Sequence, residues 1–347
     1  MRLWERVKKP KFYLKGLATY LPDSLGKYLP QHQPQFRGAG IRKDENVREA
    51  AAGLYTSWMR TMIVLHQQGG VTYKNVAEIG PGDSLGVGLA ALLSGANSFL
   101  ALDAVPTAYN LNNEEIFEEL VSLFKKRAPL LSQEQCPKQR PHLKSYNFPT
   151  DILTDEKLKV FLADDRLEKI RIAIRAKGGR EKNNSGQISI DYSVPWDTDA
   201  SLFEYRNSVD LIISSAALEH VDDVVRTYYA ANELLRDGGV IASSIDFKCH
   251  DTAGLRNGHF AYSDLEWKVV RGRSVFFINR WPHEWHIKEM KKYFTILHDD
   301  VYHHPRQNLQ LERKDLAPRF SGISDEELAI AEAFIIGKKH ASSNTSP

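Results

Sequence analysis

Between Val76 and Gly86 the chain reads VAEIGPGDSLG, with Glu78 two positions before Gly80, then Pro81, Gly82 and Ser84. Glycines at 80 and 82 let a chain turn sharply and bring its amides close to a ligand with no Cβ in the way. A glycine turn alone suits many nucleotides. The acid in front of it narrows the choice, because a carboxylate there repels a diphosphate and attracts an ammonium or sulfonium group. Asp103 closes the next β-rich run, Ser98 to Leu102, where a carboxylate is placed to hold ribose hydroxyls.

A ribose and a positive charge without a diphosphate describe S-adenosylmethionine. Two histidines supply a base for the acceptor of its methyl group. His220 follows a β-rich run in LEHV, and His250 follows another in IDFKCHDTAG. Imidazole titrates in the range a general base needs. Each has a plain alternative as a packing or loop histidine. Asp246, His250 and Asp251 together, or the run His298 to His304, have metal-ligand types but no spacing that demands an ion, and no metal is assigned.

Elements that would position these residues follow from periodicity. Helical spacing runs from Glu45 to Gln68 and ends at Gly69-Gly70, directly before the glycine stretch. Short β-rich runs at Asn75 to Ile79, Ser98 to Leu102, Gln187 to Tyr192, Val209 to Ser214 and Val240 to Asp246 alternate with helical ones at Leu85 to Leu93 and Val224 to Leu235. Gly238-Gly239 is expected to stop the last helix. The alternation predicts an α/β fold: a Rossmann-like, doubly wound, mostly parallel sheet. Tyr293 to Tyr302 and Glu332 to Gly337 are the expected closing strands.

The domain plan has an N-terminal strap over 1–45, a main domain over 46–340 and a tail over 341–347. The main domain carries an insertion after strand two (104–186), with helical stretches near Glu114 to Lys126 and Asp155 to Arg175 and expected to cover the site, and an aromatic-rich cap after strand five (250–290). That cap holds Trp267, Trp281 and Trp285 with Arg271, Arg273 and Arg280, which suits a sugar face or a phosphate, although packing accounts for most of them. The strap mixes Lys8, Lys9, Lys11 and Lys15 with Trp4, Phe12, Tyr13, Leu14, Leu17 and Tyr20. Packing on the main domain is its first reading, and peripheral membrane contact through residues 1–20 its second.

With 46 basic and 44 acidic residues, the net charge of +2 gives no whole-molecule pull toward nucleic acid. Two cysteines make no disulfide framework, no leader is legible and no apolar run reaches membrane-spanning length, so a cytoplasmic location is expected.

EIGPGDSLG resembles motif I of the class I S-adenosylmethionine-dependent methyltransferases. Asp103 matches their acidic end of strand two, SVDLIISSAALEHVDD their fourth strand and turn, and ELLRDGGVIASSID their next helix and strand. The resemblance spans about Asn75 to Asp246 and departs at Ser84, where a third glycine is common. It implies a cofactor site of Glu78, Gly80, Pro81, Gly82, Ser84, Asp103, Ala104, Asp191, Tyr192 and Ser215, with His220 and His250 as catalytic candidates. The Asn/Asp-Pro-Pro-aromatic signature of DNA amino-methylating members is absent, Ser214 to Ala217 standing in its place. The acceptor is therefore expected to be a small molecule or a saccharide, methylated on oxygen. A nicotinamide-dependent oxidoreductase and a non-catalytic methyltransferase-like module are the competing readings, and a homodimer is allowed.

Overall fold

The computed structural model describes residues 3–21, 46–177, 188–196, 198, 203–274, 277–303 and 311–341. The polar run 178–186, the strap beyond Leu21, His304 and the tail beyond Ala341 lie outside these residues.

Seven strands form one sheet in the order β3-β2-β1-β4-β5-β7-β6. They are β1 (Asn75–Ile79), β2 (Ser98–Leu102), β3 (Ser189–Ser193), β4 (Val209–Ser215), β5 (Leu235–Asp246), β6 (Phe294–His303) and β7 (Ile330–Lys339). The first five pair in parallel, while β7 runs antiparallel to both β5 and β6. Central strands NVAEI and SFLAL are buried almost throughout, as strands covered on both faces must be.

One face is covered by α2 (Val47–Gln67), α3 (Gly86–Leu93) and α4 (Asn113–Lys126); a helical turn at Leu3–Arg6 and α1 (Pro10–Ala18) precede them in the chain. Trp58, Leu89, Phe99, Phe117 and Phe124 meet in that core without exposure. The opposite face is covered by α7 (Val224–Leu234) and α9 (His283–Met290), through Tyr228, Leu234 and Met290.

Two expectations need correcting. The helix after β4 ends at Leu234 and β5 starts at Leu235, so Gly238-Gly239 does not stop a helix. Gly238 instead sits at φ +72°, next to a register shift between β4 and β5. The helical stretch Asp155 to Arg175 is two helices, α5 (Asp155–Phe161) and α6 (Asp164–Arg175), broken at Leu162–Ala163.

Residues 104–177 connect β2 to β3. Their helices α4 to α6 bury Ile116, Leu120, Leu158 and Ile170 in the first core, as an enlarged crossover between β2 and β3. A third, smaller core joins the strap, the cap and residues 311–328 through Phe12, Tyr262, Trp267, Val270 and Phe320, with α8 (Asp264–Arg271) packed on α1.

Candidate functional site

In a parallel sheet the carboxyl ends of the strands converge on one rim. Here β1, β4 and β5 bring their following turns together. Gly80 is at φ +75° and its N–H donates to the Leu102 carbonyl at 2.9 Å. A Cβ built on Gly80 would lie 2.5 Å from the Ala217 Cβ, so the glycine loop touches the turn carrying Leu218 to His220. Only glycine satisfies both the dihedral and the contact.

Glu78 is 2% exposed and its Oε2 has no hydrogen-bond partner among the described residues. Burial, helped by the charge of Asp103, pushes its pKa up to about 8. Asp103 is itself buried and raised by desolvation, against four hydrogen bonds that lower it. Ala104 N–H donates to Oδ1 at 2.8 Å, while Thr107 Oγ1 and the Tyr192 hydroxyl donate to Oδ2 at 2.9 and 3.3 Å. The acid thus organises its own turn and keeps lone pairs for a further donor.

Ser84 lies inside the loop, its Oγ accepting from Gly86 N–H at 3.3 Å, and Pro81 and Gly82 (φ +72°) complete the bend. Asn113 supports it from α4 by accepting from Leu85 N–H at 2.8 Å, and Asp83 accepts from the Asn110 amide at 2.8 Å. Tyr192 is brought to Asp103. Asp191 is opposite Leu100 in the register and leaves the other face of β3, as strand alternation requires. Ser215 ends β4 opposite Ser244.

His220 and His250 come together, with ring centroids 5.1 Å apart. His250 Nε2 is 3.3 Å from Asp246 Oδ2. Asp246 also receives Lys248 Nζ at 2.7 Å, and Lys248 reaches Glu332 Oε1 at 2.5 Å. Arg140 Nη2 meets Glu332 Oε2 at 2.6 Å as an ion pair whose angles fall outside hydrogen-bond geometry, and its guanidinium lies over Tyr302, 4.5 Å from the ring centroid. Burial alone would raise the Asp246 pKa, but the His250 and Lys248 contacts hold it down at about 2. Glu219 neither bonds to His220 nor faces solvent. It is 4% exposed, both carboxyl oxygens lack a hydrogen-bond partner among the described residues, and burial with the Asp246 charge raises it well above the usual carboxylate range.

Backbone strain gathers at the same rim. Ala216, His250 and Asp251 have φ of 53°, 45° and 60°, half of the non-glycine residues with positive φ among those described. Such conformations cost on the order of 1 kcal/mol each and persist where surrounding structure enforces them.

A dinucleotide-binding sheet runs 3-2-1-4-5-6, with its sixth strand beside the fifth. Here the reversed β7 enters between β5 and β6, and the buried acid Glu78 stands directly before the glycine turn. The sheet order and the reversed seventh strand agree with the α/β fold that the resemblance to class I methyltransferases implies.

No family model matches the chain, and no curated protein matches it. Solved structures do. A Methanosarcina mazei S-adenosylmethionine-dependent methyltransferase is 11% identical with a TM-score of 0.40, over 80% of this chain and 98% of its own. The N-methyltransferase NodS of Bradyrhizobium japonicum, in complex with S-adenosylhomocysteine, is 12% identical with a TM-score of 0.36, over 91% and 96%. Likeness this distant is silent about chemistry, so the residues of this chain must supply it.

Lys248, Glu332 and Arg140 were not legible as site residues. Glu332 comes from the second-last strand in the sheet order and Arg140 from the β2–β3 connection, more than a hundred positions from Asp246 in the sequence. Only the antiparallel pairing of Asp246 with Glu332 joins them. The cap tryptophans and arginines are largely used internally. Trp267 is 8% exposed, Arg280 pairs with Asp264 at 2.5 Å, and Arg271 with Asp222 at 2.6 Å.

Proposed function

We propose that the protein is an S-adenosylmethionine-dependent methyltransferase acting on a hydroxyl of a small polar molecule or saccharide, with His250 as general base. The observation that carries this reading is the His250–Asp246 contact of 3.3 Å on the rim shared with Glu78 and Gly80. A base held by a carboxylate has a fixed tautomer, and Asp246 on Nε2 leaves Nδ1 to accept a proton.

The residues present suit the cofactor. Glu78, an orphaned buried acid, would face its positive charge; Gly80, Pro81 and Gly82 would admit it closely, with Ser84 shaping the loop. Asp103, with Ala104 and Tyr192 around it, would take the ribose. Asp191 and Ser215 are flanking candidates. When bound, the cofactor supplies a methyl group activated by a positive sulfur. His250 Nδ1 would take the proton of the hydroxyl that accepts the methyl group, with the site holding that oxygen in line with the donor. His220 borders this base and Glu219 lies beneath the turn.

Incubation with methyl-labelled cofactor and a panel of sugars, nucleotide sugars and small polyols tests the reading. Label transfer to oxygen in the native protein, reduced about a hundredfold or more in His250→Ala with unchanged cofactor affinity, is expected. Calorimetric binding of NAD(P) without S-adenosylhomocysteine would make it an oxidoreductase, and a biological role untouched by Glu78→Ala and Asp103→Ala would make it a non-catalytic module.

A further inference from the structure

The strap packs with one side only. Phe12 is 4% exposed in the third core, and Gly16 lies so near the Val269 and Val270 carbonyls that a Cβ would fall 1.9 and 2.5 Å from their oxygens. Lys8 Nζ and the Tyr13 hydroxyl bond to Glu266 at 3.0 and 2.9 Å, and Arg6 pairs with Glu312 at 3.2 Å. These contacts fix the rotation of α1 about its axis, and hence which face it turns outward.

That outward face is apolar. Leu14 is 65% exposed, Leu17 51% and Leu21 44%, with Trp4 and Tyr20 each at 50%. Leu14 and Leu17 are one turn apart on α1, so they form a stripe. Five of the twelve large hydrophobics exposed among the described residues fall in this segment, which scattered surface leucines do not explain. Lys11 and Lys15 border the stripe, neither with a carboxylate partner among the described residues, and Arg273 adds its guanidinium over Tyr20, 5.1 Å from the ring centroid.

We propose that this face seats the protein on an anionic lipid bilayer. A row of leucines with tryptophan and tyrosine beside it suits the boundary between headgroups and acyl chains, and the lysines suit anionic headgroups. Each basic residue near such a surface contributes about 1 kcal/mol, and lysine stems let the charge stay in water while the helix sinks. Charge complementarity selects this occupant, because a second copy of the chain would set lysines against lysines. The placement is independent of which acceptor the methyltransferase reading favours.

Flotation of the full chain with phosphatidylcholine vesicles containing about one-third phosphatidylglycerol tests it. The protein should float with these vesicles, stay at the bottom with pure phosphatidylcholine, and detach as salt rises. Leu14→Asp/Leu17→Asp and, separately, Lys11→Glu/Lys15→Glu should lower the floated fraction about tenfold with the melting temperature unchanged, since all four side chains lie outside the core. Failure to float, equal flotation on neutral vesicles, or flotation untouched by both variants overturns the proposal. A dimer in lipid-free solution that the leucine variant dissociates assigns the face to a second copy and overturns it too.

Discussion

Asp246 on β5 and Glu332 on β7 stand opposite one another, and the single ammonium of Lys248 bridges them at 2.7 and 2.5 Å. Side by side, with Glu332 buried and Asp246 partly so, two carboxylates alone would favour sharing a proton. Lys248 between them, with Arg140 on the outer oxygen of Glu332, keeps Asp246 ionised and its contact with His250 intact. Charges alternate along Arg140, Glu332, Lys248 and Asp246 across three elements of the fold, and the chain of contacts ends on the His250 ring.

Asp246→Asn should reduce methyl transfer about a hundredfold while leaving S-adenosylhomocysteine affinity within about twofold, because an amide holds the wrong tautomer of the base. Nitrogen NMR of the His250 ring checks the cause separately from turnover. The native ring should carry its hydrogen on Nε2, and the variant should lose that preference.

Glu332→Ala should destabilise the fold by about 3 kcal/mol in urea unfolding, since it leaves the buried Arg140 and the half-buried Lys248 without their shared acid. An effect under about 0.5 kcal/mol would mean that Tyr302 and backbone carbonyls suffice for Arg140.

Cofactor binding should depend on pH through Glu78. With a pKa near 8 in the free protein, this acid is mostly protonated at neutral pH and must lose a proton to face a cation. Calorimetric affinity for S-adenosylmethionine should therefore tighten as pH rises toward 8 and level off above. Glu78→Gln should flatten the profile and weaken binding about tenfold at pH 8.5. The sign for folding is opposite. Between the ordinary carboxylate range and pH 8 the native state holds the extra proton, so stability falls with rising pH, and the glutamine variant should lack that fall.

His283 gives a second pH signature. Burial opposes its charge, yet Asp299 Oδ1 at 3.0 Å and Glu327 Oε1 at 3.2 Å hold its pKa up at about 9. A raised histidine stabilises fully below pH 6.5 and loses that stabilisation as pH climbs through 9. The loss should be on the order of 3 kcal/mol in thermal unfolding and should vanish in His283→Gln.

Much of the fold was readable because its signals are local. Buried parallel strands are short apolar runs, and β1, β2 and β4 emerged within a residue of their bounds. Glu78, Gly80 and Asp103 were readable for the same reason, since a strand end, a turn and the next strand end are fixed by adjacent residues. Gly238-Gly239 misled, because the same dipeptide that stops helices also relieves a strand where its register shifts. His220 and His250 were candidates in sequence; their approach to 5.1 Å needed β4 and β5 to pair.

What the sequence by itself determined is the alternation of strands and helices and the acid-glycine loop, both written in neighbouring residues. The tertiary structure decided which base has an orienting acid, because Asp246, Glu332 and Arg140 are joined only by an antiparallel strand and a crossover segment. It also decided that the strap has two different sides. Periodicity can say that α1 is amphipathic, but only packing against Val269 and Val270 says which of its faces is left to the solvent.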